Sequence, residues 1–227
     1  MGPWMRVCVE GGDIMKITII YDNTAWNNEL KADWGFSCLV EAHGRNILFD
    51  TGTKGNILLY NMEKLKIDPK EIEEIFISHA HFDHIGGLQA FLEVNNDVDI
   101  WLPHRIPDIV VSEGKNVVEV RTPQKLREGI YSTGILEEIE QSMCVETDKG
   151  IIIVAGCSHP SFDNIISAAS KFGNVYGVIG GLHGTSPGSL EGLRFIGATH
   201  CTQHKESIKN LYKDRYVEGG AGRVIEI

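Results

Sequence analysis

Three imidazoles and a carboxylate fall within six positions in the run Ser78-His79-Ala80-His81-Phe82-Asp83-His84-Ile85-Gly86-Gly87. Neutral imidazole with carboxylate suits zinc above all, and manganese or iron where the coordination opens up. His79 and His81, two residues apart at a strand end, face the same way and can grip one ion. Asp83 and His84 are adjacent, so no regular strand or helix aims both at one point. A turn can, and the pair suits a second ion. An ordinary surface turn would draw on Gly, Asn, Asp and Ser rather than place four potential ligands in six positions.

The flanking segments supply such a turn. Ile72 to Ile77 reads as a buried strand, and Leu88 to Leu92 as the start of a helix. Chemistry is often carried on a loop held by rigid elements in this way. The pattern recurs along the chain. Of nine histidines, six (His79, His81, His84, His159, His183 and His200) stand at turns after apolar strands. A chain using histidine only for packing would not place it so regularly. His104 lies beyond the strand 98–102 and could reach a cleft as a substrate contact, with a plain surface role as its competitor. His43 and His204 read as exposed.

His79-x-His81-x-Asp83-His84 resembles the signature of the metallo-β-lactamase superfamily. Within it the chain looks most like the dihydropteroate-synthase-like subgroup named for a pterin-pathway enzyme, on Leu48-Phe49-Asp50-Thr51-Gly52, Gly156-Cys157-Ser158-His159-Pro160, Gly180-Gly181-Leu182-His183 and His200-Cys201-Thr202. The resemblance implies two divalent metal ions. It gives His79, His81 and His159 to the first, and Asp83, His84 and His200 to the second. Asp50 becomes the group that holds a ligand imidazole through its other ring nitrogen. The usual pattern has a bridging Asp between the last two ligand motifs, but no Asp occurs from Val175 to Gln203. His183 stands near that place and could ligate or only line the site; ligation is the favoured expectation, and a single-ion site stays open. Cys157 and Cys201 flank ligands, and a small buried thiol is the plainer reading of both.

The elements fit two similar halves. The first runs through a strand at Lys16–Asp22, a hairpin (Phe36–Ala42 with Asn46–Asp50), helix 54–65, a short helix opening at Asp68-Pro69, the ligand strand, and helix 85–94. The second runs through short strands in 105–140, a hairpin (Ser142–Thr147 with Ile151–Gly156), helix 161–173, the strands Val175–Gly181 and Phe195–Thr199, a helix over 203–213, and a last strand, Arg223–Ile227. This predicts an α+β fold, a four-layer αββα sandwich of the metallo-β-lactamase type, with its site along one edge of the sheets. The related subgroup carries a longer insertion near 105–140, and its shortness here implies a more open site or a different substrate. Residues 22–32, with Trp26 and Trp34 close by, form a loop long enough to overhang the site. Residues 15–227 read as a single domain. Residues 1–14 read as a translated leader, because Glu10-Gly11-Gly12-Asp13 can be encoded as a ribosome-binding sequence just upstream of Met15. A real edge strand, Met5–Val9, is the alternative.

Composition narrows the partners. The chain has 227 residues, 42% hydrophobic and 23% charged, with a formal charge of −10. That acidity argues against a nucleic-acid footprint, which needs a basic stripe. No apolar run approaches the roughly 20 residues of a membrane span, and no secretion signal is evident. Five cysteines without paired spacing point to reduced thiols and a cytoplasmic place. A small-molecule substrate fits, an anionic one included, because the ions bring their own positive charge.

A bound divalent cation lowers the pKa of its water to about 7, giving a nucleophile at neutral pH. Asp83 could orient that nucleophile or carry its proton. Thr202, or backbone amides after His200, could hold a substrate carboxylate or phosphate. The expected activity is hydrolysis of a small ester, lactone, thioester or phosphoester. The alternative implied by the subgroup is a synthase joining a dihydropterin methyl group to a phosphorylated aminobenzene-riboside. Flavin-linked di-iron oxygen reductases of this fold use H-x-E-x-D-H, and His81 in place of Glu argues for hydrolysis.

Overall fold

A computed structural model describes residues 14–103 and 116–227. His104 lies outside the described residues, and so do residues 1–13 of the expected leader. Strand β1 (Lys16–Tyr21) pairs antiparallel with β2 (Ser37–Ala42), and β2 with β3 (Arg45–Phe49). The β2–β3 turn has two residues, His43 and Gly44, with φ of 51° and 71°. Positive φ at both central positions is what a two-residue hairpin of matching twist requires. His43 is less exposed than its turn position suggested, and its Nε2 lies 2.9 Å from the Glu146 carbonyl.

The chain then crosses over through α1 (Gly55–Lys64) to β4 (Glu74–Phe76), parallel to β3. The expected helix 85–94 is two pieces, α2 (Phe82–Ile85) and α3 (Leu88–Val94). They break at Gly86 and Gly87 because the loop after β3 passes too close for a side chain. A Cβ on Gly86 would lie 2.1 Å from the Thr53 carbonyl oxygen, and one on Gly87 2.3 Å from that of Thr51. Strands β5 (Asp99–Pro103) and β6 (Asn116–Val120) complete this side in parallel.

The second sheet holds β7 (Gln124–Arg127), β8 (Ile130–Ser132), β9 (Met143–Thr147) and β10 (Gly150–Ala155), all antiparallel. Helix α4 (Phe162–Ala169), shorter than expected, leads to β11 (Val175–Gly181) and then β12 (Phe195–Thr199), both parallel to β10. Helix α5 (Lys205–Leu211) follows. The chain's end then crosses between sheets. Tyr216 bridges Ile196 of β12, Ala221 bridges Ala25, and β13 (Val224–Glu226) pairs with β1. The strand orders are β13-β1-β2-β3-β4-β5-β6 and β12-β11-β10-β9-β8-β7.

Strand alternation sorts the apolar side chains into three layers. Ile17, Val40, Ile47 and Phe49 of the first sheet meet Met143, Val145, Ile152, Val154 and Ile179 of the second. The opposite faces look outward. Leu39, Leu48 and Ile75 pack on Leu58, Met62 and Phe91 of α1 and α3. Ile151, Ile153 and Val178 pack on Phe162, Ile165 and Ile208 of α4 and α5. Helix, sheet, sheet and helix thus stack in the expected αββα order. Each side chain so buried contributes about 1.5–3 kcal/mol, which gives a rigid frame to the loops at its edge. No helix among the described residues is long and apolar enough to cross a membrane.

Candidate metal centre

β1, β3, β4, β10, β11 and β12 all end at one edge, and the loops leaving them build the site. Four residues there have left-handed backbone: Asp50 (φ 52°), Ser158 (57°), His183 (38°) and His200 (49°). Such a conformation costs about 1–2 kcal/mol for an L-residue, and it persists only where the surroundings fix it. Buried carboxylates do so for Asp50, Ser158 and His200, and the Gln203 amide, donating to the His183 carbonyl at 2.9 Å, braces His183.

Asp50 is fully buried. Its Oδ1 accepts the Ser78 amide at 2.7 Å, and its Oδ2 accepts the Ser78 hydroxyl at 2.7 Å. The same Oδ2 lies 2.7 Å from His84 Nδ1, and Ser78 Oγ lies 2.9 Å from His79 Nδ1. A carboxylate only accepts, so His84 carries its proton on Nδ1. A hydroxyl has one proton, and that of Ser78 goes to Asp50, so the Ser78 oxygen must accept from His79 Nδ1. Asn23 treats His200 likewise. Its Oδ1 accepts the Gly35 amide at 3.1 Å and faces His200 Nδ1 at 3.0 Å, while its Nδ2 donates to the His200 carbonyl at 3.0 Å. With the ring proton of each neutral imidazole on Nδ1, all three point Nε2 inward as the nitrogen free to bind.

Those lone pairs converge in two groups. The rings of His79, His81 and His159 lie 4.6–4.9 Å apart, centre to centre. His81 Nδ1 is 3.0 Å from His159 Nε2. In the second group His200 Nε2 lies 3.3 Å and His84 Nε2 3.8 Å from Asp83 Oδ2, and His84 Nε2 is 3.1 Å from Cys157 Sγ. Trp34 Nε1 donates to Asp83 Oδ2 at 2.7 Å. Buried His79 Nε2 and His200 Nε2 have no hydrogen-bond partner. Buried acceptors facing one another without a donor are costly, and divalent cations between them remove that cost. The residues present fit two such ions.

The electrostatics agree. Burial, reinforced by His84 and the other imidazoles, drives His79 far below its usual pKa. Burial, with His81 and His183, lowers His159 to about 4. Burial alone would raise Asp83, but His200 and His84 outweigh it and hold the carboxyl well below its usual range. His84 is raised because Asp50 overcomes its burial. His79, His159 and Asp83 are thus held in the neutral-imidazole and carboxylate forms that bind metal, while His84 would give up a proton on binding.

The structure thus brings His79, His81, Asp83, His84, His159 and His200 together, with Asp50 behind two of them. It does not bring in His183. That ring is exposed, 5.0 Å from the His159 ring, and outside both groups of converging donor atoms. Thr202 does not face the centre either. Its hydroxyl donates to the Thr199 carbonyl at 2.7 Å and accepts the Leu182 amide at 3.0 Å, bracing β12 against β11. The Ser158 hydroxyl donates to the Gly181 carbonyl at 2.8 Å, so it is no free nucleophile.

Sequence reasoning missed two further carboxylates. Glu140, fully buried, accepts the amides of Gly156, Cys157, Ser158 and His159 at 2.9–3.1 Å. Burial raises its pKa against the pull of those amides. Asp22 accepts the His200 amide at 3.1 Å and the Thr199 hydroxyl. Asp22 had a signal, since it closes β1 as Asp50 closes β3. Glu140 had none, standing in the acidic run Glu137-Glu138-Ile139-Glu140, which reads as a solvated face.

The sequence model of the metallo-beta-lactamase superfamily matches residues 35–139. The chain is 28% identical to 7,8-dihydropterin-6-methyl-4-(beta-D-ribofuranosyl)-aminobenzene-5'-phosphate synthase of Methanocaldococcus jannaschii, covering 94% of this chain and 97% of that protein. The alignment runs to 285 residues against 227 in this chain, so that relative carries insertions this chain lacks. Ribonuclease Z of Streptococcus pyogenes is 29% identical over 60% of this chain and 39% of its own length. A metal-dependent hydrolase of the beta-lactamase superfamily, known by crystal structure, aligns with a TM-score of 0.77 at 24% identity, covering 94% of this chain and 99% of that one.

Proposed function

The chain belongs to the metallo-beta-lactamase superfamily, and from there we propose that it hydrolyses a small ester, lactone, thioester or phosphoester with two divalent cations, zinc above all. One observation carries this reading: His79, His84 and His200 are each held by a hydrogen bond at Nδ1 so that Nε2 faces inward, and the buried Nε2 atoms of His79 and His200 have no hydrogen-bond partner. His79, His81 and His159 would hold the first ion, and Asp83, His84 and His200 the second. Bound cations supply Lewis acidity, lowering the pKa of water to about 7 and polarising an electrophilic oxygen.

The chain's own groups do the rest. Asp83, half-buried and kept ionised, would orient the attacking water or carry its proton. Trp34 fixes the Asp83 carboxylate from the solvent side. Asp50 holds the ligand tautomers, so no reorganisation is needed during turnover. The small-molecule reading rests on the chain's acidity; the ribonuclease relative matches over well under half of its own length. The four described cysteines are all free thiols, in keeping with a cytoplasmic place. Residues 15–227 would form the working domain, with N-terminal mapping of the native protein as the check on residues 1–14.

A second reading, a dihydropterin-linked synthase, is favoured by the Methanocaldococcus relative. The insertions missing from this chain weigh against the same substrate. Product formation from a pterin diphosphate, against simple ester cleavage, separates the two. The main test is metal content and turnover on a panel of esters, lactones and phosphoesters. His81→Ala should lose both bound metal and turnover while keeping its far-ultraviolet circular dichroism. Full activity in that variant would sink the assignment.

A further inference from the structure

Resting on the metal-hydrolase reading, we propose that Cys157 is itself a metal ligand, its thiolate shared between the two cation positions. Cys157 follows β10 and is 3% exposed. Its Sγ lies within 4.8 Å of the donor atoms of His79 and His159 on one side, and of His84 and His200 on the other. Among the described residues it is the one atom common to both groups. Asp83 Oδ2 stands beside His84 and His200, so a Cys157 thiolate is the anionic donor within reach of both positions, and a soft one that suits zinc.

The backbone leaves the sulfur little room to move. Glu140 Oε1 holds the Cys157 amide at 2.9 Å. A Cβ on Gly156 would stand 2.2 Å from Ser78 Oγ, and one on Gly181 3.1 Å from the Cys157 Cα, so both neighbours press directly on this turn. A thiol hydrogen bond to His84 Nε2 accounts for one contact, at 3.1 Å. It leaves His79 Nε2 and His200 Nε2, 0% and 5% exposed by residue, without partners. A thiol has one proton and can answer one imidazole, whereas a thiolate can bind two cations and so serve both groups. On metal binding the thiol gives its proton to solvent as the metal–sulfur bond forms, with no change of oxidation state. Cys201 is the built-in control. Its Sγ is 3.8 Å from the Cys157 carbonyl oxygen and belongs to neither group.

The experiment titrates cobalt(II) into the metal-free full chain and into Cys157→Ser and Cys201→Ser. Sulfur-to-cobalt charge-transfer absorption is read in the near ultraviolet, and ligand-field bands in the visible. In the wild type, charge-transfer intensity should grow with both the first and the second equivalent. It should vanish in Cys157→Ser and persist in Cys201→Ser. Ligand-field bands without charge transfer in the wild type overturn the thiolate and leave the hydrolase reading standing. Charge transfer that saturates at one equivalent overturns the sharing, and charge transfer that is lost only in Cys201→Ser assigns the wrong sulfur. No cobalt bound at all overturns the hydrolase reading, and this inference with it. If Cys157→Ser fails to fold, the wild-type titration still decides for or against a shared sulfur, and Cys201→Ser decides which sulfur it is.

Discussion

The turns after β4 and after β10 are held by buried carboxylates in opposite ways. Asp50 grips the first mainly through side chains, His84 and, by way of Ser78, His79. Glu140 grips the second through four consecutive backbone amides and touches no imidazole. The first clamp decides where protons sit and hence which nitrogens offer lone pairs. The second decides the shape of the chain and leaves the His159 ring to find its own partner. Aim and shape are thus separate tasks, and mutations should separate them.

The largest effect should come from Glu140→Ala. Four amides lose their acceptor in a dry site, at about 1–3 kcal/mol for each group left unsatisfied, though solvent entry will offset part of it. The expected loss is several kcal/mol, read as a lower denaturant midpoint, with metal affinity falling as His159 and Cys157 shift. An unchanged midpoint would dissolve the distinction. Asp50→Asn should do the reverse. The amide conserves volume but cannot accept from both Ser78 and His84, so metal affinity should drop roughly 10- to 100-fold, with a smaller loss of stability. Competition with a chromogenic chelator reads it, and equal affinities would remove the tautomer argument.

Acid should act on the metal-free protein through both turns. His79 and His159 have folded pKa values below the ordinary 6.5, His159 at about 4. At these two sites the unfolded chain binds more protons, against the one proton that Glu140, raised by burial, takes up in the fold, so stability falls as pH drops from 6.5 towards 4. His84 is raised, so its contribution is fully present below 6.5 and cannot mask the fall. Urea unfolding across that window checks the sign, and rising stability towards pH 4 would contradict it. The smallest effect belongs to Trp34→Phe. It removes one donor from Asp83 at a half-exposed position, worth about 1 kcal/mol, or roughly fivefold in metal affinity. A loss as large as that of Asp50→Asn would mean that Trp34 carries more of the aim than its geometry implies.

What could be read from the sequence follows the same division. His79, His81, Asp83, His84, His159 and His200 were legible because each stands where an apolar strand stops, and strand ends are set by local pattern. Asp50 was legible through its motif. Glu140 was not, because its partners are amides and any residue offers an amide. Glu137 was hidden for the same reason, its carboxylate accepting the Ser161 amide and Asn164 Nδ2 at the start of α4. The break between α2 and α3 escaped too, since it is imposed by the loop at Thr51–Thr53, more than thirty residues upstream. Thr202 was read as a substrate contact from its place beside His200; its hydroxyl answers instead to two backbone groups invisible in sequence.

The path of residues 216–227, from the side of β12 past Ala25 to the outer edge of β1, ties two segments about two hundred positions apart in the chain. Translation delivers β1 to β6 early, yet that sheet stays one strand short until Val224–Glu226 has been made. Gly219 is also the residue that lies against Thr199, the neighbour of His200. A growing chain can therefore shape its first ligand turn well before residues 216–226 arrive to close the seat for the last imidazole.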